Sequence, residues 1–431
     1  MTPTSPKILI ASLGTRGDVQ PYVALAKELV ARGADVVLTT GEGFDDMIAA
    51  AGATSRQVPI NIQKLLQDKE IQEALFTLKG KFRAARQNFD LQKRIVDCFW
   101  NIGLQERPDL ILFNLKATVM TLVGRRLNVP ALPTALQPVS VPTGEFPLAL
   151  FGLPNLGRTL NLMSYRAGRT LMKVGLAPLF KSIRHEASPE LSQPGSHLDG
   201  YMPKDGAIPS LQAYSRAIVP PPDDWPAEAW TCGYWFTEPD AGYKPPEPLA
   251  RFLTDGPSPL YLGFGSMPSK DPAGLTAAVL AALRLTGQRA ILASGWGGLT
   301  TGELPDDMSE RVFLLEKAPH SWLFPKCSAI VHHGGAGTTH EAVRWGKPSL
   351  ICPVFGDQPF WGQQIHKIGA GPAPIRQKKI TPELLAAALK SLKQSDYRAG
   401  AERAASIMGT EPGASGTADR LMSLVSKQTV G

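Results

Sequence analysis

The sequence predicts an α/β protein made of two parallel-sheet domains that face each other across a cleft. Three observations carry this expectation. The chain has 431 residues, too many for one ordinary hydrophobic core, so two domains of roughly 200 residues are the default. Short apolar runs alternate with helical periodicity from the start, the pattern of right-handed crossover units. The same rhythm begins afresh after a proline- and charge-rich stretch near the middle. The expected bounds are 1–236 for an N-terminal domain, 237–250 for a linker, 251–410 for a C-terminal domain and 411–431 for a helical tail returning to the first domain.

Taken in order, KILIASL (7–13) is a buried strand that ends at Gly14. Val19, Tyr22, Val23, Ala26, Leu29 and Val30 have helical spacing closed by Gly33. ADVVLTT (34–40) is the next strand and GFDDMIAAAG the next helix, and PDLILFNL (108–115) and VPALPTA (129–135) continue the sheet. Residues 137–157, QPVSVPTGEFPLALFGLPNLG, have no clean period and read as a flexible or helical flap over an apolar cavity. FTEPDAGYKPPEPLARF (236–252) reads as the linker. Beyond it, strands are expected at PLYLGFGS (259–266), QRAILAS, RVFLLE, SAIVHHGG and PSLICPV. Helices are expected at 272–286, TTHEAVRWG, QPFWGQQIHKIG and 381–393, then along the tail to about 427. Ligands of such sheets bind outside the carboxyl ends of the strands, so the site belongs in the cleft between the domains.

Hydrophobic residues make up 43% and charged residues 19%, the balance of a folded globular chain. A net charge of +7, without a dense Lys/Arg run or zinc-finger spacing, points away from nucleic acid. It could still steer an anionic substrate or favour peripheral contact with an anionic membrane. Cys98, Cys232, Cys327 and Cys352 form no C-x-x-C and read as reduced thiols of a cytoplasmic protein. No apolar signal core and no run of about 18 apolar residues is present, so no spanning helix is expected. Nothing marks an oligomeric state.

The densest chemistry lies in VHHGGAGTTHEAVRWGKPSLICPVFGDQ, Val331 to Gln358. A metal is disfavoured: His340-Glu341 begins an H-E-x-x-H that fails at Arg344, and His332 and His333 point to opposite faces of a strand. A dinucleotide is disfavoured because both glycine turns lack the full G-x-G-x-x-G. A phosphate ester remains. Gly334, Gly335 and Gly337 let backbone amides approach an anion, the following helix points its positive end at the same place, and His333 and Thr338 add donors. Thr338-x-x-Glu341 also fits a capping box, and Asp357 an N-cap.

This signature resembles the donor-binding motif of the two-domain GT-B glycosyltransferases that use UDP- or TDP-sugars. GTRGDVQPY (14–22), GYWF (233–236), GFGSM (263–267), SGWGGL (294–299) and APHSWLFPKCSAIVHHGGAGTT look like the sterol glucosyltransferase branch, and the bacterial antibiotic glycosyltransferases share much of the pattern. The resemblance implies that His333, Gly335, Gly337 and Thr338 hold the donor diphosphate, with Ser266 from the facing loop. It implies that Glu341 takes the ribose hydroxyls and that Asp357 and Gln358 take hydroxyls of a hexose, most simply glucose from UDP-glucose. Plant relatives stack the base on a Trp-x-Pro-Gln where this chain has Lys317-Ala-Pro-His320. Trp296 could line the base site instead, with the Ala318 backbone and His320 at the uracil edge.

Transfer requires an acceptor oxygen to attack the anomeric carbon while the nucleotide diphosphate leaves, and the acceptor proton must reach a base. The leaving group can be stabilised by dipoles and hydroxyls, so neither a metal nor a further cofactor is required; the nucleotide sugar is a co-substrate. Asp18 is the candidate general base, and it also fits the N-cap of a helix over 19–32 with Pro21 in its first turn. In-line attack would invert the anomeric centre. The N-terminal domain would take a lipophilic alcohol, with Phe146, Leu150, Phe151 and Met163 among the acceptor-binding residues. Sterol, polyketide, flavonoid, carotenoid and glycolipid acceptors all suit it. A sugar-nucleotide epimerase or phosphorylase, or a non-catalytic partner of the same shape, are the competing readings.

Overall fold

The computed structural model describes residues 5–67, 78–180, 183, 196–203, 208–238, 242–264, 271–293 and 304–428. Two parallel sheets organise the chain. The first has seven strands in the order β3-β2-β1-β4-β5-β6-β7, with β1 at Lys7–Ala11, β2 at Asp35–Thr40, β3 at Thr54–Gln57, β4 at Leu110–Phe113, β5 at Ala131–Ala135, β6 at Ser210–Gln212 and β7 at Ala229–Thr231. The second has five in the order β10-β9-β8-β11-β12, with β8 at Leu260–Gly263, β9 at Ala290–Ala293, β10 at Val312–Leu315, β11 at Ala329–His332 and β12 at Ser349–Ile351. Ile8, Leu9 and Ile10 are fully buried on both faces of β1, as a parallel strand covered by helices on both sides must be.

The first helix, α1, runs Arg16–Ala31 and so starts three residues before the sequence expectation. Thr15 is its N-cap, and Asp18 at the third position returns a carboxylate oxygen to the Thr15 amide, a capping box. Pro21 therefore falls inside the helix rather than in its first turn. It removes one backbone donor there.

Residues 137–157 differ from the expected flap. Residues 138–149 are mostly buried, and only the stretch from Phe151 to Gly157 is largely exposed. The buried loop is tolerated because side chains answer its backbone. Asp224 accepts from the Gly144 amide at 2.8 Å and the Thr143 hydroxyl at 2.6 Å. Asn161 donates to the Gly144 carbonyl, and the Ser164 hydroxyl accepts from the Leu148 amide. The expected linker also contains structure, a helix over Glu247–Thr254 with Pro246 at its N-cap.

One hydrophobic cluster spans both domains, joining Phe113, Val139, Phe146 and Tyr214 to Val343, Phe360, Trp361 and Met408. The last helix, Gly413–Gln428, packs on α1. Arg32 binds Asp419 at 2.7 Å, and the Trp235 indole donates to the Thr417 hydroxyl at 3.1 Å. The domains are thus held by two devices, a shared apolar core and a return strap.

Candidate active site

The carboxyl ends of both sheets converge on the interdomain cleft. On the N-terminal side, the first turn of α1 carries Asp18, and the turn after β4 carries Asn114 and Lys116. Gly14 has to be a glycine, because a Cβ there would lie 2.1 Å from the Asp18 carboxylate. That carboxylate is fixed through Oδ2, which accepts from the Thr15 amide at 2.8 Å and the Thr15 hydroxyl at 3.2 Å and pairs with the Lys116 ammonium at 3.3 Å. Asn114 braces the same turn by donating to the Ser12 hydroxyl, which in turn donates to the Asp18 carbonyl. Asp18 is therefore a capping residue and a cleft residue at once.

On the C-terminal side, β11 ends at His332 and the helix α11, Ala336–Arg344, follows after three residues. Its N-cap is Gly335, so Thr338 lies inside the first turn and does not cap; the capping-box expectation is corrected. The amides of Ala336, Gly337 and Thr338 are the ones that an α-helix leaves without an intrahelical acceptor. His333 folds over this turn. A Cβ on Gly335 would meet its Nε2 at 2.7 Å, and a Cβ on Gly337 would meet the Tyr234 hydroxyl at 3.0 Å. Burial holds the His333 imidazole neutral, with its pKa lowered to about 4, and its Nδ1 is buried without a hydrogen-bond partner. Free helix amides and an unanswered imidazole nitrogen together form the cradle in which a diphosphate is expected.

The neighbouring histidines are already engaged. His332 accepts from the Gly334 amide through Nδ1, and burial drives its pKa well down. His340 accepts from the Ser215 amide of the other domain through Nε2, and its Nδ1 lies 2.7 Å from the Ala336 carbonyl. Tyr234 stacks on it at 4.3 Å. His340 is thus an interdomain pin.

Glu341 stands one turn into α11, with Oε1 accepting from the Trp345 indole at 2.7 Å and Arg344 at 3.8 Å from the other oxygen. Burial raises its pKa, and Arg344 and Trp345 oppose the rise. Asp357 begins the helix Gln358–Lys367, yet its side chain makes no cap bond. Instead it accepts from the Trp361 indole at 2.7 Å. Burial raises its pKa to about 6; the Trp361 bond and Lys116 oppose this, and the charge of Asp18 adds to it. The two carboxylates, one from each domain, are therefore close enough to feel each other. The Gln358 side-chain carbonyl oxygen accepts from the Val354 amide at 2.8 Å and is also in reach of the Phe355 amide at 3.3 Å. Only its amide nitrogen is left to reach a ligand.

At the expected base site, His320 lies 3.1 Å from the Tyr261 hydroxyl and stacks on Phe324 at 4.4 Å. Its pKa falls to about 4 through burial, then through the charges of Arg16 and His333. Ala318 is partly buried beside it. Ser266 and Trp296 lie outside the described residues. The acceptor residues are dispersed. Phe146 is buried and packs edge-on against Phe360 at 5.2 Å, bringing its loop to the Asp357 turn. Leu150 is partly buried against the shared core. Phe151 and Met163 are exposed, by 38% and 51%. One cleft residue went unread in the sequence, Lys116. The strand-end rule could have found Lys116, three residues past β4.

Comparisons with known proteins bear on the family and the fold. Residues 8–105 match the glycosyltransferase family 28 N-terminal domain, and residues 298–424 match the erythromycin biosynthesis protein CIII-like C-terminal domain. Sterol 3-beta-glucosyltransferase UGT80B1 of Arabidopsis thaliana is 34% identical over 96% of this chain and 67% of its own length. UGT80A2 of the same plant is 32% identical over 95% of this chain and 64% of its own length. The chain spans about two thirds of these plant relatives, and 25% of a Candida albicans sterol 3-beta-glucosyltransferase that is 32% identical. Among solved structures, the glycotransferase of kitacinnamycin superposes with a TM-score of 0.72 at 17% identity, covering 98% of this chain and all (100%) of that one. CalG4, the calicheamicin glycosyltransferase, gives 0.69 at 18% identity, covering 97% and 98%. Two parallel-sheet domains, the two family matches and this degree of identity lead to one conclusion: the chain belongs to the GT-B glycosyltransferase family that includes the sterol 3-beta-glucosyltransferases.

Proposed function

We propose that the protein transfers glucose from UDP-glucose to the hydroxyl of a lipophilic alcohol of the sterol class, with inversion. The observation that carries this reading is the pair of carboxylates from opposite domains, Asp18 and Asp357, which share the influence of Lys116. The relatives' names support the acceptor class and the sugar, since both plant proteins are sterol 3-beta-glucosyltransferases.

In this mechanism the diphosphate lies on the amides of residues 336–338, with His333 and Thr338 donating to its oxygens. Glu341 accepts from the ribose hydroxyls, and Asp357 accepts from hydroxyls of the hexose. The acceptor oxygen attacks the anomeric carbon from the face opposite the diphosphate, the bond to the diphosphate oxygen breaks, and the acceptor proton passes to Asp18. The reading is supported by Asp18 Oδ1, which no hydrogen bond engages among the described residues, while Oδ2 is held by Thr15 and Lys116. The developing charge on UDP is met by fixed dipoles, which need no reorganisation as the bond breaks.

Incubation with UDP-glucose and a sterol should release UDP and a β-glucoside. Asp18→Asn is expected to lower turnover at least ~100-fold, the usual size of a general-base effect, with UDP affinity unchanged. Equal turnover would remove Asp18 from this role. Bound UDP without any product from sterols, polyketides or flavonoids would favour a non-catalytic partner.

A further inference from the structure

Seven of the twelve large hydrophobic side chains most exposed among the described residues fall between Phe151 and Val174. Four belong to one helix, Arg158–Leu176. Leu160, Met163, Leu171 and Val174, exposed by 51%, 51%, 66% and 68%, together with Ala167, follow one another at intervals of three and four residues. This spacing places them on one stripe, roughly 20 Å long at 1.5 Å per residue. The helix holds its place through a different stripe, Asn161, Ser164, Tyr165 and Gly168, which is buried. The outward stripe is therefore not needed to attach the helix. A soluble surface rarely carries so continuous an apolar strip without an occupant.

The charges around the stripe identify the occupant. Between Glu145 and Glu186 the chain has no carboxylate at all. Arg166 and Lys173 are exposed and, by helical spacing, border the stripe on the side away from the core. Arg169 is taken up by Asp199 and the Met202 carbonyl, and Arg158 lies 3.6 Å from Asp224. A second copy of this chain docked face to face would set the same cations against each other. A bilayer with anionic headgroups accepts both parts: the stripe enters the headgroup–acyl boundary while the cations remain at the phosphates. We propose that the outward face of helix 158–176, with the exposed loop before it, docks on an anionic lipid membrane.

The same face leads to the cleft. Phe151 packs over Gly168, and Gly152 meets Pro359 and the Gly356 carbonyl beside Asp357. A lipid-resident alcohol would so have a short apolar path to the reacting groups. This last point rests on the glycosyl-transfer reading, whereas the docking itself does not.

The test uses the full chain and sterol-free vesicles of phosphatidylcholine with phosphatidylserine, without donor, read by co-sedimentation. The wild type is expected to bind them and to bind pure phosphatidylcholine vesicles more weakly. Leu171→Glu/Val174→Glu should lower the partition coefficient at least ~10-fold. Arg166→Glu/Lys173→Glu should lower it ~5-fold per cation, with the salt sensitivity of the wild type lost. Unchanged melting temperatures and unchanged UDP affinity would show that both variants fold. Vesicle binding that survives the Leu171/Val174 change overturns the proposal, as does a wild type that ignores anionic vesicles or forms a dimer which that change dissolves. A wild type that binds vesicles but makes no glycoside would leave the docking intact and sink the transfer reading alone.

Discussion

Asp357 shows how much of a site a single residue type can announce, and where the announcement stops. A carboxylate at the end of a buried strand was readable from GDQ alone. Its partner Trp361, four residues on, and its coupling to Asp18 and Lys116 were not, because they depend on which turn each domain offers to the other. The coupling has a measurable sign. Its pKa in the folded protein, about 6, lies above the ordinary 3.8, so the folded state binds the proton more tightly than the unfolded one. Stability is then lost as pH rises from 3.8 through 6 and the full cost remains above that window. Asp357→Asn keeps an acceptor for the indole and removes the buried charge. It is expected to be more stable than the wild type at pH 8, by about 2 kcal/mol after allowing for partial exposure, and no more stable at pH 4. Its kcat/KM for the nucleotide sugar should fall at least ~10-fold, since the hexose loses a charged acceptor. Thermal melts at both pH values read the first part, and a gap that does not change with pH would contradict it.

At the scale of elements, long periodic segments with one buried face were legible, and the others were not. The strands 7–11, 35–40 and 329–332 and the helices 272–286 and 382–391 lie where the apolar spacing predicts them. β6 and β7 are three residues each, too short for any period to register. Helix 158–176 buries Asn161, Ser164, Tyr165 and Gly168 and turns its apolar stripe outward, so the hydrophobic period does not mark the buried face. The start of α11 was misplaced by two residues because Thr338-x-x-Glu341 matches a capping pattern that the backbone does not use. The true cap is Gly335, whose φ of −63° suits any residue, so glycine is required there for space and not for conformation. Gly335→Ala tests that distinction. The Cβ would displace the His333 ring, and UDP affinity is expected to fall ~10-fold, about 1.4 kcal/mol, with little change in melting temperature. Calorimetry returning the wild-type affinity would detach His333 from the cradle.

At the scale of the molecule, two Rossmann-like sheets meet with their strand ends towards each other, and the contact is not loose. The shared cluster from Phe146 to Trp361, the His340–Ser215 bond and the Glu411 carboxylate accepting from Ser215 and Arg216 fasten the domains on one side of the cleft. Asp18 and Lys116 belong to none of these contacts and pair with each other at 3.3 Å. Sequence rhythm announced the two domains; the fastening was illegible because it joins residues more than a hundred positions apart. The most direct measurement is a crystal structure of the protein soaked with UDP-glucose. The diphosphate is expected within hydrogen-bond distance of His333 and the amides of residues 336–338, with the hexose between Asp357 and Asp18. A diphosphate bound elsewhere, or a hexose turned away from Asp18, would contradict the proposed chemistry at its root.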